Sequence, residues 1–241
     1  MSTPPDTDHA ARPKPRPDLS RALILETALA LIDARGLDAL NMRDLGAALG
    51  AATMSVYRHV RNKAELLEAV MDHIVDGFAP VGPQGDWRSE ARSLSRNVRR
   101  AMLAHPELAD LIGREFRRSG TSLRVNVEII ARLRHGGIPP AVLAQAYWAI
   151  SSYTTGFTLL EAQALRRRRA AGGGPPALER RKGKIVQLMA EVDAVSAAAR
   201  DLAAAVLARP LDDGQFEFGL DCIIRGLDQL VAAPQAAQTE A

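Results

Sequence analysis

From Pro139 to Leu160 the sequence carries no charged side chain, and a chain holding such a run must bury it somewhere. As a helix the run has about the length of a bilayer core, about 20 residues. Gln145, Ser151, Ser152, Tyr153, Thr154, Thr155 and Gly156 interrupt it, two prolines open it, and no second segment of the kind occurs. Those features argue against a membrane and leave a helix buried on several sides by other helices. The remaining sequence is suited to supply them. Alanine is abundant, aromatics make up 4% of the chain, and period-two alternation of β-branched residues is almost absent. We therefore read the chain as all-α.

Capping residues, Gly and Pro divide it. Asp18 or Ser20 caps a helix through about Arg35, with Ile24, Ala28, Leu31 and Ile32 on one stripe and Gly36 as its stop. Asn41 followed by Asp44 resembles a capping box with an acid in place of Glu or Gln, opening a short second helix to Leu49. Gly50 stands where a left-handed residue lets the chain turn into a third short helix, Thr53 to Val60. Asn62 and Glu65 repeat the capping pattern before a fourth helix that ends near Gly77, with Leu66, Leu67, Val70 and Ile74 as its buried stripe. "APVGPQGD", residues 79 to 86, breaks this unit (19–78) from a larger helical unit (79–233). Helices are expected there at roughly 87–104, 107–117, 121–135, 139–169, 179–208 and 212–232, with "AAGGGPPAL" as a mobile loop. Residues 1–18 and 234–241 are expected to be a disordered arm and tail.

The single cysteine, Cys222, excludes an internal disulfide framework or a cysteine-rich metal site and fits a reducing, cytoplasmic setting. The N-terminus lacks the apolar stretch of a secretory signal. A net charge of +3 invites a nucleic-acid reading, yet the first 76 residues hold more Asp and Glu than Lys and Arg. The local cluster is more telling: between 41 and 63, Arg43, Arg58, Arg61 and Lys63 face only Asp44. The five histidines are scattered, and no HExxH, P-loop, nucleophile elbow or dinucleotide fingerprint occurs, so neither an enzyme nor a cofactor is expected.

On the third helix Val56 and Val60 lie four apart and point inward against Leu45 and Leu49. The opposite face then presents Thr53, Met54, Tyr57, Arg58 and Arg61, a mixture suited to base edges and phosphates in a major groove, and Arg43 joins from the preceding helix. A second helix that reads while the first braces is the logic of a helix-turn-helix.

The stretch "LDALNMRDLGAALGAATMSVYRHVRNKAELLEAV" resembles the DNA-binding domain of the tetracycline repressor (TetR) family, carried by the order Tyr57, His59, Val60, Asn62, Lys63 and a Leu-rich helix. "DWRSEARSLSRNVRRAMLAHPEL", "YTTGFTLLEAQ" and "FEFGLDCIIRGLDQL" are similar to the regulatory domain of the tetracycline-repressor branch. The resemblance implies a homodimeric repressor on a palindromic operator, with Arg43, Thr53, Met54 and Ser55 at bases and Tyr57, His59 and Lys63 at phosphates. Arg58 serves either role. His59 has an alternative in bonding the neighbouring backbone, and Arg12, Lys14 and Arg16 of the arm either enter a minor groove or stay solvated. A ligand-independent architectural or activating protein is the other reading of the same head.

The resemblance also implies release by a small molecule that makes the fourth helix swing. Trp148, Ser151, Ser152, Thr155 and Leu159 on the uncharged helix are candidate pocket residues, with Leu94, Val98, Met102, Ile112 and Phe116 from its neighbours; plain core is the alternative. His105 either caps a helix end or faces the ligand. Glu161 matches an acidic family position, but Ile112 stands where the tetracycline repressor has its metal-ligand histidine, so a more apolar effector and no metal are expected. "RRRR", 166 to 169, suits a solvated helix C-terminus. Phe216, Leu220, Ile223, Leu227 and Leu230 recur as a coiled-coil-like seam, and Gly219 and Gly226 would let helices approach closely. The partner subunit is the expected occupant of that seam, in a homodimer formed through the long uncharged helix and the last helix, and the chain's own core is the alternative.

Overall fold

The computed structural model describes residues 19–78, 85–111, 120–170, 172, 183–188 and 196–232. Among these the secondary structure is helical, without strands. The expected arm, the tail and all of the Gly-rich loop but Ala170 and Gly172, together with Ile112 and Phe116, lie outside the described residues.

The first unit is set by its caps. Helix α1 (Arg21–Arg35) begins where Ser20 Oγ accepts the Leu23 N–H at 3.2 Å, and Gly36 ends it at φ 84°. A 3₁₀ turn over Leu37–Ala39 leads to α2 (Met42–Ala48), opened by Asn41 Oδ1 accepting the Asp44 N–H at 2.9 Å. Helix α3 (Thr53–Tyr57) stops three residues short of the expected Val60. The Arg61 N–H is taken by the Glu65 carboxylate at 2.7 Å, which draws the chain out of the helical path. Helix α4 (Lys63–Asp76) then starts from Asn62, whose side chain accepts the Glu65 N–H at 2.9 Å. Ile24, Ala28, Ile32, Leu45, Val56, Leu66 and Val70 fill the core of the unit.

In the second unit α5 (Trp87–Ala104) is followed by a 3₁₀ turn over Pro106–Leu108, then α6 (Gly120–His135), α7 (Pro140–Ala170), α8 (Ala197–Leu207) and α9 (Asp213–Ala232). The uncharged run lies in α7, which packs against α5, α6 and α9. Its two buried hydroxyls are bonded: Thr158 donates to the Thr154 carbonyl one turn back at 2.6 Å, and Thr154 to Ser95 Oγ of α5 at 3.0 Å. One face of α7 is nonetheless open, with Trp148 49% exposed and Ser152, Gly156 and Leu160 beside it. No described helix is long and apolar enough to cross a membrane. The helix expected over 179–208 is described as a short piece at 183–188 and as α8, which opens at its own N-cap, Ser196.

Helix α9 turns three of the five expected seam residues inward. Phe216, Leu220 and Leu227 are buried within this one chain, Ile224 replaces Ile223 as the fourth buried position, and Leu230 is exposed. The stripe faces α5 and α7. Gly219 receives the Tyr153 ring of the same chain, and Tyr153 Oη donates to the Phe216 carbonyl at 2.8 Å. Gly226 has open space where a Cβ would stand. Four arginines of α5 then lock α9 from the outside: Arg88 pairs with Asp228, Arg92 with Asp221, Arg96 with Glu217 and Arg99 with Asp213.

Candidate DNA-reading face and regulatory cavity

The turn between α2 and α3 is closed by backbone hydrogen bonds. Gly50, at φ 61°, lets the Gly50 N–H reach the Ala47 carbonyl at 3.1 Å and the Ala51 N–H reach the Gly46 carbonyl at 2.9 Å. This is a Schellman close, available because glycine tolerates the left-handed region. A Cβ on Gly46 would lie 3.1 Å from the Ala51 carbonyl and 3.3 Å from Thr53 Cα. Gly50 is legible in the sequence as a turn residue, whereas Gly46 is not, since its role depends on how close the next helix passes.

With Val56 and Val60 buried, α3 turns its other side outward. Met54 is 73% exposed, Tyr57, Arg58 and Arg61 are exposed, and Thr53, Ser55 and His59 are half-covered along the same short segment. Arg58 donates to Ser55 Oγ at 3.2 Å, which ties the two side chains together. Arg43 projects into solvent from the start of α2, 3.9 Å from Asp44, and Lys63 opens α4. Arg61 is held back, its Nε donating to Glu65 at 3.0 Å. The Arg61 backbone N–H, then its side chain, hold the Glu65 carboxyl below its ordinary value. The face thus offers hydroxyls, an apolar tip and guanidinium groups to whatever approaches.

A cavity between α5, α6 and α7 holds about 480 Å³ of space outside the atoms, its mouth included. Of the expected residues, Leu94, Val98, Met102, Ser151 and Thr155 line it. Phe78, Ser95, Ile129, Leu133, Ile150 and Thr154 complete the wall. Phe78 follows α4 directly, and nothing in a sequence pattern says that the end of α4 reaches another helix's cavity. Five expected residues stand elsewhere. Trp148 and Ser152 lie on the open face of α7, about a third of a turn from the cavity wall. Leu159 packs against the core outside the cavity. His105 turns to α1, with Nδ1 2.7 Å from Asp33 Oδ2. Glu161 is taken by Arg99 in a fork of two 2.7 Å hydrogen bonds, with the side chains only 13% and 12% exposed. That fork, with Asp213 as a second acceptor, raises the arginine above its ordinary value.

The family comparisons agree with this two-part geometry. Residues 24–70 match the model for bacterial regulatory proteins of the tetR family, and residues 79–231 match the tetracyclin repressor-like C-terminal domain. The HTH-type transcriptional repressor DrrR1 of Streptomyces coeruleorubidus is 30% identical over 237 residues, covering 94% of this chain and 84% of that protein. A possible TetR family regulator from Streptomyces coelicolor A3(2) superposes with a TM-score of 0.67 at 31% identity, covering 88% of this chain and 100% of that one. The Streptomyces coelicolor TetR family protein ActR, in complex with actinorhodin, does so with a TM-score of 0.68 at 29% identity, covering 90% of this chain and 100% of that one. The chain belongs to the TetR family, DNA-binding helix-turn-helix transcriptional regulators rather than enzymes, with a tetracycline-repressor-like C-terminal domain.

Proposed function

We propose that the protein is a homodimeric repressor that reads a two-fold operator with α3 and leaves it when a small, mostly apolar molecule occupies the cavity. The observation that carries this reading is the exposed α3 face, held by the Gly50 turn and by the close passage of the start of α3 over Gly46. Arg43, Thr53, Met54 and Ser55 meet base edges, while Tyr57, His59 and Lys63 meet phosphates. Arg58, bonded to Ser55, stands at the border of the two sets. Repression is supported by the name of DrrR1, and a small-molecule effector by the ActR complex.

Two reading heads require two copies. The outer faces of α7 and α9 support that pairing: Trp148 and Leu160 on one and Phe218, 66% exposed, on the other lie on two helices that pack together. The cavity supports an uncharged effector. Among the described residues its polar groups are the hydroxyls of Ser95, Ser151, Thr154 and Thr155, and none of the side chains lining it is ionised. Against that lining a charged ligand would lose hydration without a partner. Phe78 provides the link to DNA, since a ligand that displaces it moves the end of the helix that begins with Lys63.

Selection of duplexes from a random-sequence library tests the reading. The wild-type protein enriches an inverted repeat, and Arg43→Ala binds it more weakly by about 1–3 kcal/mol at fixed salt. Enrichment of no sequence above bulk duplex would overturn it.

A further inference from the structure

We propose that Asp33 and His105 form a second tie between the reading head and the regulatory unit, and that this tie fixes the angle at which α3 is presented. Only the DNA arm of the test below rests on the function proposed above.

Asp33 lies in the last turns of α1, and His105 sits 72 positions away, at the corner between α5 and the Pro106–Leu108 turn. Their side chains are 29% and 24% exposed. A carboxylate only accepts, so Nδ1 carries the hydrogen and donates it across the 2.7 Å contact. Asp33 Oδ1 is buried and, among the described residues, has no hydrogen-bond partner, an atom that a helix surface would ordinarily leave to water. The carboxylate is therefore held against the corner in preference to solvation.

The corner itself is packed into the core. Pro106, Leu108 and Ala109 are buried, and the Leu108 N–H bonds the His105 carbonyl at 3.0 Å. On the α1 side a Cβ at Gly36 would come within 4.0 Å of the Glu107 carboxylate. On the other side Asp110 accepts from Gln163 at 3.0 Å and from Arg166, both on α7. The corner is clamped between the DNA unit and the central helix. Among the described residues the head's other attachment is α4, which packs on α5 and α6 and whose Asp76 pairs with Arg124. A head attached through one helix swivels about it; attached through α1 and α4, which pack on each other, it has one orientation.

The distance between Arg58→Cys and the native Cys222, spin-labelled in chains diluted with unlabelled protein, reports that orientation within one chain. Asp33→Ala and His105→Leu each broaden the distance distribution, and the double variant broadens it no further. His105→Asn, whose amide N–H stands near the Nδ1 position, keeps the wild-type width. On the duplex that wild type selects, the unlabelled Asp33→Ala and His105→Leu chains lose about tenfold of the discrimination against spacings altered by about two base pairs, the size of one charge-assisted hydrogen bond. Their affinity for a single half-site is unchanged. Wild-type widths in folded Asp33→Ala or His105→Leu would overturn the tie, as would a broadening that His105→Asn shares, which would mark plain packing. Should Asp33→Ala not fold, the two His105 variants decide alone. A wild type that selects no duplex removes the DNA reading and leaves the distance result to stand.

Discussion

Glycines without side chains do much of the positioning at the residue scale. Gly46 and Gly219 are both occupied by a neighbour, the first by the start of α3 and the second by the Tyr153 ring. At Gly46 the obstacle is backbone, which cannot rotate away, so Gly46→Ala should lower stability by about 1–3 kcal/mol and weaken duplex binding with it. Thermal melting and a binding isotherm on the same sample check this; an unshifted melt would mean the turn has slack. Glu65 provides a residue-scale test of another kind. Its folded value lies below the unfolded one because the Arg61 N–H and guanidinium bind the ionised form. The stabilisation is therefore complete above about pH 4.3, the ordinary glutamate value, and is lost as pH falls through the lower folded value. Amide exchange at the start of α4 should accelerate over that acid window in wild type, whereas Glu65→Gln should show no such step.

At the scale of elements, helix beginnings were legible and helix partners were not. Asn41 and Asn62 each cap the helix that sequence spacing assigned to them, and Ser20, one of two candidates, caps the first, because a cap is settled within four residues of chain. The stripe on α9 was equally visible, but a stripe states that a face is buried and not against what. Its occupant is settled by Arg88, Arg92, Arg96 and Arg99 of α5, whose spacing matches acids more than a hundred positions away. Of the candidate site, the α3 face was legible for the same local reason. The cavity was half legible, since Leu94 and Val98 follow helical period while Phe78 arrives from another unit. The ladder has unequal rungs. Its outer three are exposed enough that each contributes about 0–1 kcal/mol and weakens with salt. Arg99 also binds Glu161 at a largely covered site, so Arg99→Leu strands a carboxylate and should cost about 2–4 kcal/mol. Urea denaturation of Arg99→Leu and Arg96→Leu side by side checks the difference, and equal losses would show that the inner pair is solvated.

The whole molecule poses the question of which surface joins two copies, and burial separates the candidates. Leu227 is packed inside its own chain, so Leu227→Glu places a charge in the core and lowers the melting temperature before it alters association. Leu160 and Phe218 are apolar, exposed and carried by packed neighbours, α7 and α9. If that double face is the dimer contact, Leu160→Glu with Phe218→Glu sets like charges against each other across a two-fold axis while leaving each chain's core intact. Sedimentation should then report a monomer of full helicity. Duplex binding should fall to that of a single half-site, because the second head no longer arrives at the local concentration that a linked partner provides. Leu227→Glu should give the opposite pattern, a dimer that persists until the chain itself unfolds. A double Glu variant that still sediments as a dimer would move the contact elsewhere on the molecule, and α8, whose described residues include none that are buried, would be the next surface to alter.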